Sequence, residues 1–93
     1  MAETLFDWDE ANIRHMARHD VTVEEFEQAA GRDPILLDYE SVDGEDRWVG
    51  LGATVRLRVL KVAFTIRKGR IRAITAFDAA KKDARYYWRR RGN

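Results

Sequence analysis

Ninety-three residues, 45% of them hydrophobic and 11% aromatic, suffice for one domain over residues 1–93 and are too few for a two-domain enzyme with its own cofactor fold. The absence of cysteine excludes a disulfide scaffold, a thiolate zinc site and a cysteine nucleophile. No apolar run approaches the ~20 residues of a membrane span, and the start Met1-Ala2-Glu3 lacks a basic then apolar leader, so a soluble cytoplasmic protein is expected.

The net charge of +1 conceals a division. Residues 1–46 carry 14 acids against 3 bases, and residues 47–93 carry 2 acids against 14 bases. Unless the two halves interleave, this predicts an acidic side and a basic side, and a basic side suits phosphate or an acidic partner.

Leu5, Phe6 and Trp8 make a short apolar start, and Asp7 or Asp9 can cap a helix because a carboxylate there accepts free first-turn N–H groups. Ala11, Ile13, Met16 and Ala17 then form a helical stripe through about Arg18. Thr22 followed three residues later by Glu25 is a capping-box pattern, which predicts a second helix over Val23–Ala30, with Gly31 to stop it. Pro34 breaks the continuation, and Ile35-Leu36-Leu37 begins an extended segment ending in the polar run Glu40–Asp46 around Gly44.

From Arg47 the pattern changes to period two, with charges alternating with branched apolar residues from Val55 to Val62. Strands are predicted over Arg47–Leu51, Arg56–Ile66 and Arg70–Thr75, with a tight hairpin at Lys68-Gly69. Asp78 is placed to cap a last helix, Ala79–Arg90, with Ala80, Ala84 and Tyr87 on its inner stripe and Lys81, Lys82, Arg85 and Arg89 outside. The order β-α-α-β-β-β-β-α with short later links predicts an α+β fold. It should have an antiparallel sheet of about four strands, two N-terminal helices and one C-terminal helix. The expected core is Phe6, Trp8, Ile13, Met16, Phe26, Val59, Ile74 and Tyr87.

Several residue groups, taken in order, resemble a known family. They are Phe6-Asp7-Trp8-Asp9, Arg18-His19 followed by Val21 and the Glu24-Glu25 helix, Asp46-Arg47-Trp48 before a glycine, and Arg72-Ala73-Ile74-Thr75-Ala76 leading into a Lys/Arg-rich helix with Tyr86. This series is similar to the BrnT family of small ribonuclease toxins from type II toxin–antitoxin systems. The resemblance implies a RelE-like fold, RNA as substrate and neutralisation by a DNA-binding antitoxin, BrnA. Three positions depart from the family pattern. Phe77 stands where the family usually has arginine, Asp83 where it has glutamate, and Arg18 where lysine often precedes the histidine. Arginine at position 77 would offer a fork of donors to a phosphate, whereas phenylalanine offers only a stacking surface.

Cleaving RNA without a metal requires the 2′-hydroxyl to lose a proton, the phosphorane charge to be held, and the 5′-oxygen to gain a proton. His19 matches the family histidine, and imidazole is the side chain best suited to either proton role near neutral pH. Its structural alternative is a polar residue closing the C-terminal end of helix one. Arg47 and Arg72 match family positions on strands and are expected to hold phosphate charge. Asp83 is expected to orient an arginine, with Tyr86 in reserve for proton transfer or stacking. Lys81, Lys82 and Arg85 on the last helix are expected to bind RNA, and Trp48 and Trp88 could stack on bases. For all these cations the alternative is a solvated strand edge or helix face. His15 and His19 share a helix face at a zinc-compatible spacing, but no third ligand is marked, so no metal and no cofactor is expected. Oligomeric state is not legible.

Overall fold

A computed structural model describes residues 5–92; Met1–Thr4 and Asn93, and with them the Met1-Ala2-Glu3 start and the last residue of the basic tail, lie outside the described residues. The fold is α+β, with elements β1 (Phe6–Asp7), α1 (Glu10–Ala17), α2 (Val23–Gly31), β2 (Ile35–Val42), β3 (Glu45–Ala53), β4 (Val59–Arg67), β5 (Arg70–Asp78) and α3 (Lys81–Arg90). Among the described residues no helix is long and apolar enough to cross a membrane.

Local chemistry places the first two helix starts where the sequence puts them. Asp9 caps α1 by accepting from the Asn12 N–H at 2.8 Å. Thr22 and Glu25 close the capping box of α2 reciprocally, at 3.1 and 3.0 Å. The β2–β3 and β4–β5 hairpins turn through Asp43-Gly44 and Lys68-Gly69, all four at positive φ, the pair of conformations whose twist matches that of the flanking strands.

The sheet order is β1-β5-β4-β3-β2. It has five strands rather than about four. The four longer strands are antiparallel as expected, and the short β1 adds to them parallel to β5, pairing Phe6 with Ile71 and Asp7 with Arg72. The α1–α2 segment carries the chain from the β1 edge of the sheet to the β2 edge.

Helices α1 and α2 pack on one face of the sheet and α3 on the other. The first face holds the larger core: Met16, Val21, Phe26, Ala29 and Ala30 against Phe6, Leu60, Val62, Phe64, Ala73 and Ala76. Helix α2 comes so close to β3 that a Cβ on Gly52 would meet the Ala29 carbonyl oxygen at 1.9 Å, so only glycine fits there. Beneath α3 a smaller cluster joins Leu51, Val59 and Tyr87.

Several boundaries and core assignments differ from expectation. Strand β4 begins at Val59, not Arg56, because Thr54 closes a turn: its N–H donates to the Arg58 carbonyl and its hydroxyl accepts from the Arg58 N–H. Strand β5 runs past Thr75 to Asp78, since Phe77 and Asp78 still pair with Lys61 and Leu60. Asp78 therefore does not cap α3, whose N-cap, Ala80, makes no side-chain capping bond. Ile13 is 41% exposed and so lies outside the core. Ile74, the extra residue of a bulge where Ala63 pairs with Thr75 but Phe64 with Ala73, is only half-buried. Trp8 is also half-buried, its indole N–H donating to Glu27 at 2.8 Å.

Candidate active site

Strand register aligns Arg47 and Arg72 on the α3 face. Residues directly opposite one another in neighbouring strands share a face, so Glu40, Arg47, Thr65, Arg72 and Asp7 form one row across all five strands. The next row holds Val49, Ala63 and Thr75, and the one after it Leu51, Lys61 and Phe77. Helix α3 covers the Leu51 end, which leaves the Arg47–Arg72 row clear of that core cluster. Arg47 and Arg72 sit two strands apart, about 10 Å.

The two arginines are held differently. Arg47 pairs through Nε with Glu45 at 3.2 Å. Arg72 is engaged by both terminal nitrogens, Nη1 with Asp7 at 3.4 Å and Nη2 with Asp9 at 2.5 Å. Since Asp9 is also the α1 N-cap, Arg72 ties β5, β1 and α1 together, and a phosphate there would share the guanidinium with two carboxylates.

Helix α1 brings both histidines to the outer edge of β5. The Asn12 side-chain amide donates to the Ala73 carbonyl at 3.0 Å, and His15 Nε2 lies 3.0 Å from Thr75 Oγ1. His19, exposed in the turn after α1, has its ring 5.6 Å from that of His15 and 5.9 Å from that of Phe77. His19 is thus brought to position 77, where the sequence departs from the family pattern.

The remaining candidates separate. Asp83 faces Lys61, 3.9 Å from its Nζ, rather than an arginine. Tyr86 is half-buried, and its hydroxyl accepts from Arg90 at 3.0 Å. Lys81, Lys82 and Arg85 are exposed on α3 and, among the described residues, form no ion pair. Trp48 lies on the opposite face, stacked on Phe64 against the main core, and so is not part of this surface. Trp88 packs in the cluster beneath α3.

Sequence reasoning gave Lys61 and Arg58 no site role and weighed His15 only as a metal ligand. The signal for Lys61 was strand parity, which puts it on the same face as Ala63 and Thr65. Arg58 carries no such signal, because it precedes the strand. Its Nε donates to Asp78 at 2.7 Å, and its Nη1 donates to Glu25 at 3.0 Å and to the Asp20 carbonyl at 2.7 Å, fastening the turn that carries His19.

Charge geography is mixed. Of the nine ion pairs among the described residues, six join an acid from the first half to a base from the second, so the halves largely interleave. What stays unpaired and basic is concentrated on α3.

Two carboxylates here titrate below their ordinary range. The Thr22 backbone N–H, with Arg58 beside it, holds Glu25 below its usual 4.5. The Asn12 backbone N–H and then Arg72 hold Asp9 below its usual 3.8. Both pKa values are depressed on folding, so their stabilisation is complete above the ordinary values and is lost as pH falls through the folded ones. The thermal midpoint should therefore hold from neutral pH to about 5 and drop below that, and Glu25→Gln should flatten the drop. An undiminished drop in Glu25→Gln would assign the acid sensitivity elsewhere.

The site thus consists of a mixed α+β domain's basic row and a pair of histidines at the edge of β5. Residues 8–83 match the family model described as the ribonuclease toxin BrnT of type II toxin–antitoxin systems, and the chain belongs to that family. Among curated proteins none matches the chain. Family membership makes it a toxin ribonuclease by descent, and a type II toxin has an antitoxin partner.

Proposed function

We propose that this chain is a RelE-like, metal-independent endoribonuclease of one domain that acts in the cytoplasm and is restrained by a DNA-binding antitoxin of BrnA type. The observation carrying this reading is the Arg47–Thr65–Arg72 row, which provides cations for phosphate, together with the His15–His19 pair at the outer edge of β5, which provides imidazoles for protons. In the proposed reaction His19 takes or returns the proton. The RNA's own 2′-oxygen bonds to phosphorus, the P–O5′ bond breaks, and the 5′-oxygen leaves protonated. Arg47 and Arg72 hold the phosphorane charge, and Lys61, four residues from their row along β4 and paired with Asp83, meets the RNA beyond that phosphate. Tyr86 stands in reserve, and Lys81, Lys82 and Arg85 bind the RNA strand.

A second reading, a relative that binds RNA or protein without cutting it, is favoured by Phe77, which removes a donor fork from beside His19. One experiment separates the two. Purified protein is incubated with RNA in the presence of a chelator, and product ends are analysed by mass. Cleavage with 2′,3′-cyclic phosphate or 3′-phosphate ends is expected, faster in Phe77→Arg. If both proteins bind RNA and leave it whole, the binding reading replaces the enzyme reading.

A further inference from the structure

Phosphate chemistry leaves one feature of the open face unexplained. Val49, Ala63, Thr75, Phe77 and the stem of Lys61 bound an apolar pocket of about 200 Å³. Ligand pockets for drug-sized molecules run to roughly 300–1,000 Å³, so this one accepts a single ring system rather than an extended chain. Phe77 is 39% exposed, its ring tilted 58° against the His19 imidazole on one side and accessible to solvent on the rest. An aromatic ring so placed is a stacking wall that no core residue covers.

The surroundings define the occupant. The pocket floor, Val49 and Ala63, lies two residues along the strands from the Arg47–Thr65 pair, about 7 Å, within the reach of one nucleotide from its phosphate to its base. Lys61 stands directly across from Phe77, and its loose 3.9 Å pairing with Asp83 leaves ammonium donors for a polar atom at the pocket rim. Two sides of the pocket therefore carry cations: Arg47 and Arg72 along one row, and Lys61 at the rim. A planar apolar-faced group attached to an anionic chain fits this arrangement, and an unpaired nucleobase is such a group. An apolar side chain from a protein partner would fill the pocket without using the cations.

We propose that this pocket is a nucleobase subsite in which Phe77 stacks on an unpaired base of the RNA, so that residue 77 helps determine which base lies beside the bound phosphate. The subsite rests on the RNA reading above, and its test reads binding rather than cleavage. The probe is a fluorescein-labelled oligoribonucleotide bearing 2′-O-methyl groups, which removes the attacking hydroxyl. Arginine at position 77 can itself stack, so the informative variants are Phe77→Leu, which keeps the bulk and loses the π-face, and Phe77→Trp, which keeps both.

Phe77→Leu should weaken binding about tenfold or more while its thermal midpoint stays that of wild type. An oligomer abasic at every position should bind wild type and Phe77→Leu equally. Phe77→Trp should bind like wild type, and its indole emission, taken as the difference from wild type, should be quenched by the oligomer and not by its abasic analogue. Equal binding of the intact oligomer to wild type and Phe77→Leu overturns the subsite and leaves the RNA reading standing. Absence of any binding to wild type overturns both. Unquenched emission from bound Phe77→Trp overturns the stacking geometry independently of any loss in affinity, as would a Phe77→Leu protein impaired only in antitoxin binding.

Discussion

Arg47→Ala should slow RNA cleavage by about 100-fold or more while leaving the denaturation midpoint near that of wild type. Deleting one donor that meets charge developing in a transition state typically costs ~2.7–4 kcal/mol, and Arg47 has a single partly exposed ion pair to lose. Arg72→Ala should slow cleavage comparably, but it should also lower the midpoint, because that guanidinium joins Asp7 of β1 and the α1 cap Asp9 to β5. Single-turnover rates measured well below each midpoint separate the two effects. If the rate of Arg72→Ala recovers fully wherever the protein is folded, Arg72 is a structural clip and the phosphate charge rests on Arg47. If Arg47→Ala cleaves at the wild-type rate, the basic row is not the phosphate site.

The parts of the fold governed by neighbours in sequence were legible, and those governed by neighbours in space were not. The Thr22–Glu25 capping box and the Lys68-Gly69 turn are each complete within four residues, and both formed where expected. The extent of β5 was hidden because Phe77 and Asp78 are held in the strand by Lys61 and Leu60, residues far back in the chain. The turn at Thr54–Arg58 was hidden because it uses neither glycine nor proline; Leu57 takes its positive φ of 69° there, and the alternation of Val55 to Val59 continued unbroken through it. The same division applies to the site. Motif order singled out His19, Arg47 and Arg72 as candidates, but only register shows that the two arginines share a row and that Lys61 faces Phe77. The charge asymmetry of the halves, clear in the sequence, is largely cancelled in space because acids of β1, the α1 cap, α2, the loop before β2 and the start of β3 each pair with a base of the second half.

Phe26→Ala should be the most destabilising single replacement, costing about 3–5 kcal/mol from a domain whose total stability is of order 5–15 kcal/mol. Phe26 is fully buried on α2, and its ring meets Phe6 edge-on at 6.2 Å and Trp8 edge-on at 5.4 Å. Those two residues flank Asp7, so a cavity at Phe26 loosens the short β1 together with the helix. Strand β1 has only two residues paired to β5, too few to hold register without that packing. The carboxylates of Asp7 and Asp9 would then no longer hold Arg72 in its row, and RNA cleavage should fall further than the loss of folded protein alone explains. Urea denaturation combined with cleavage rates at low temperature measures both quantities. A loss below about 1 kcal/mol would mean that the sheet and helices close over the gap, and that Phe26 does not anchor β1.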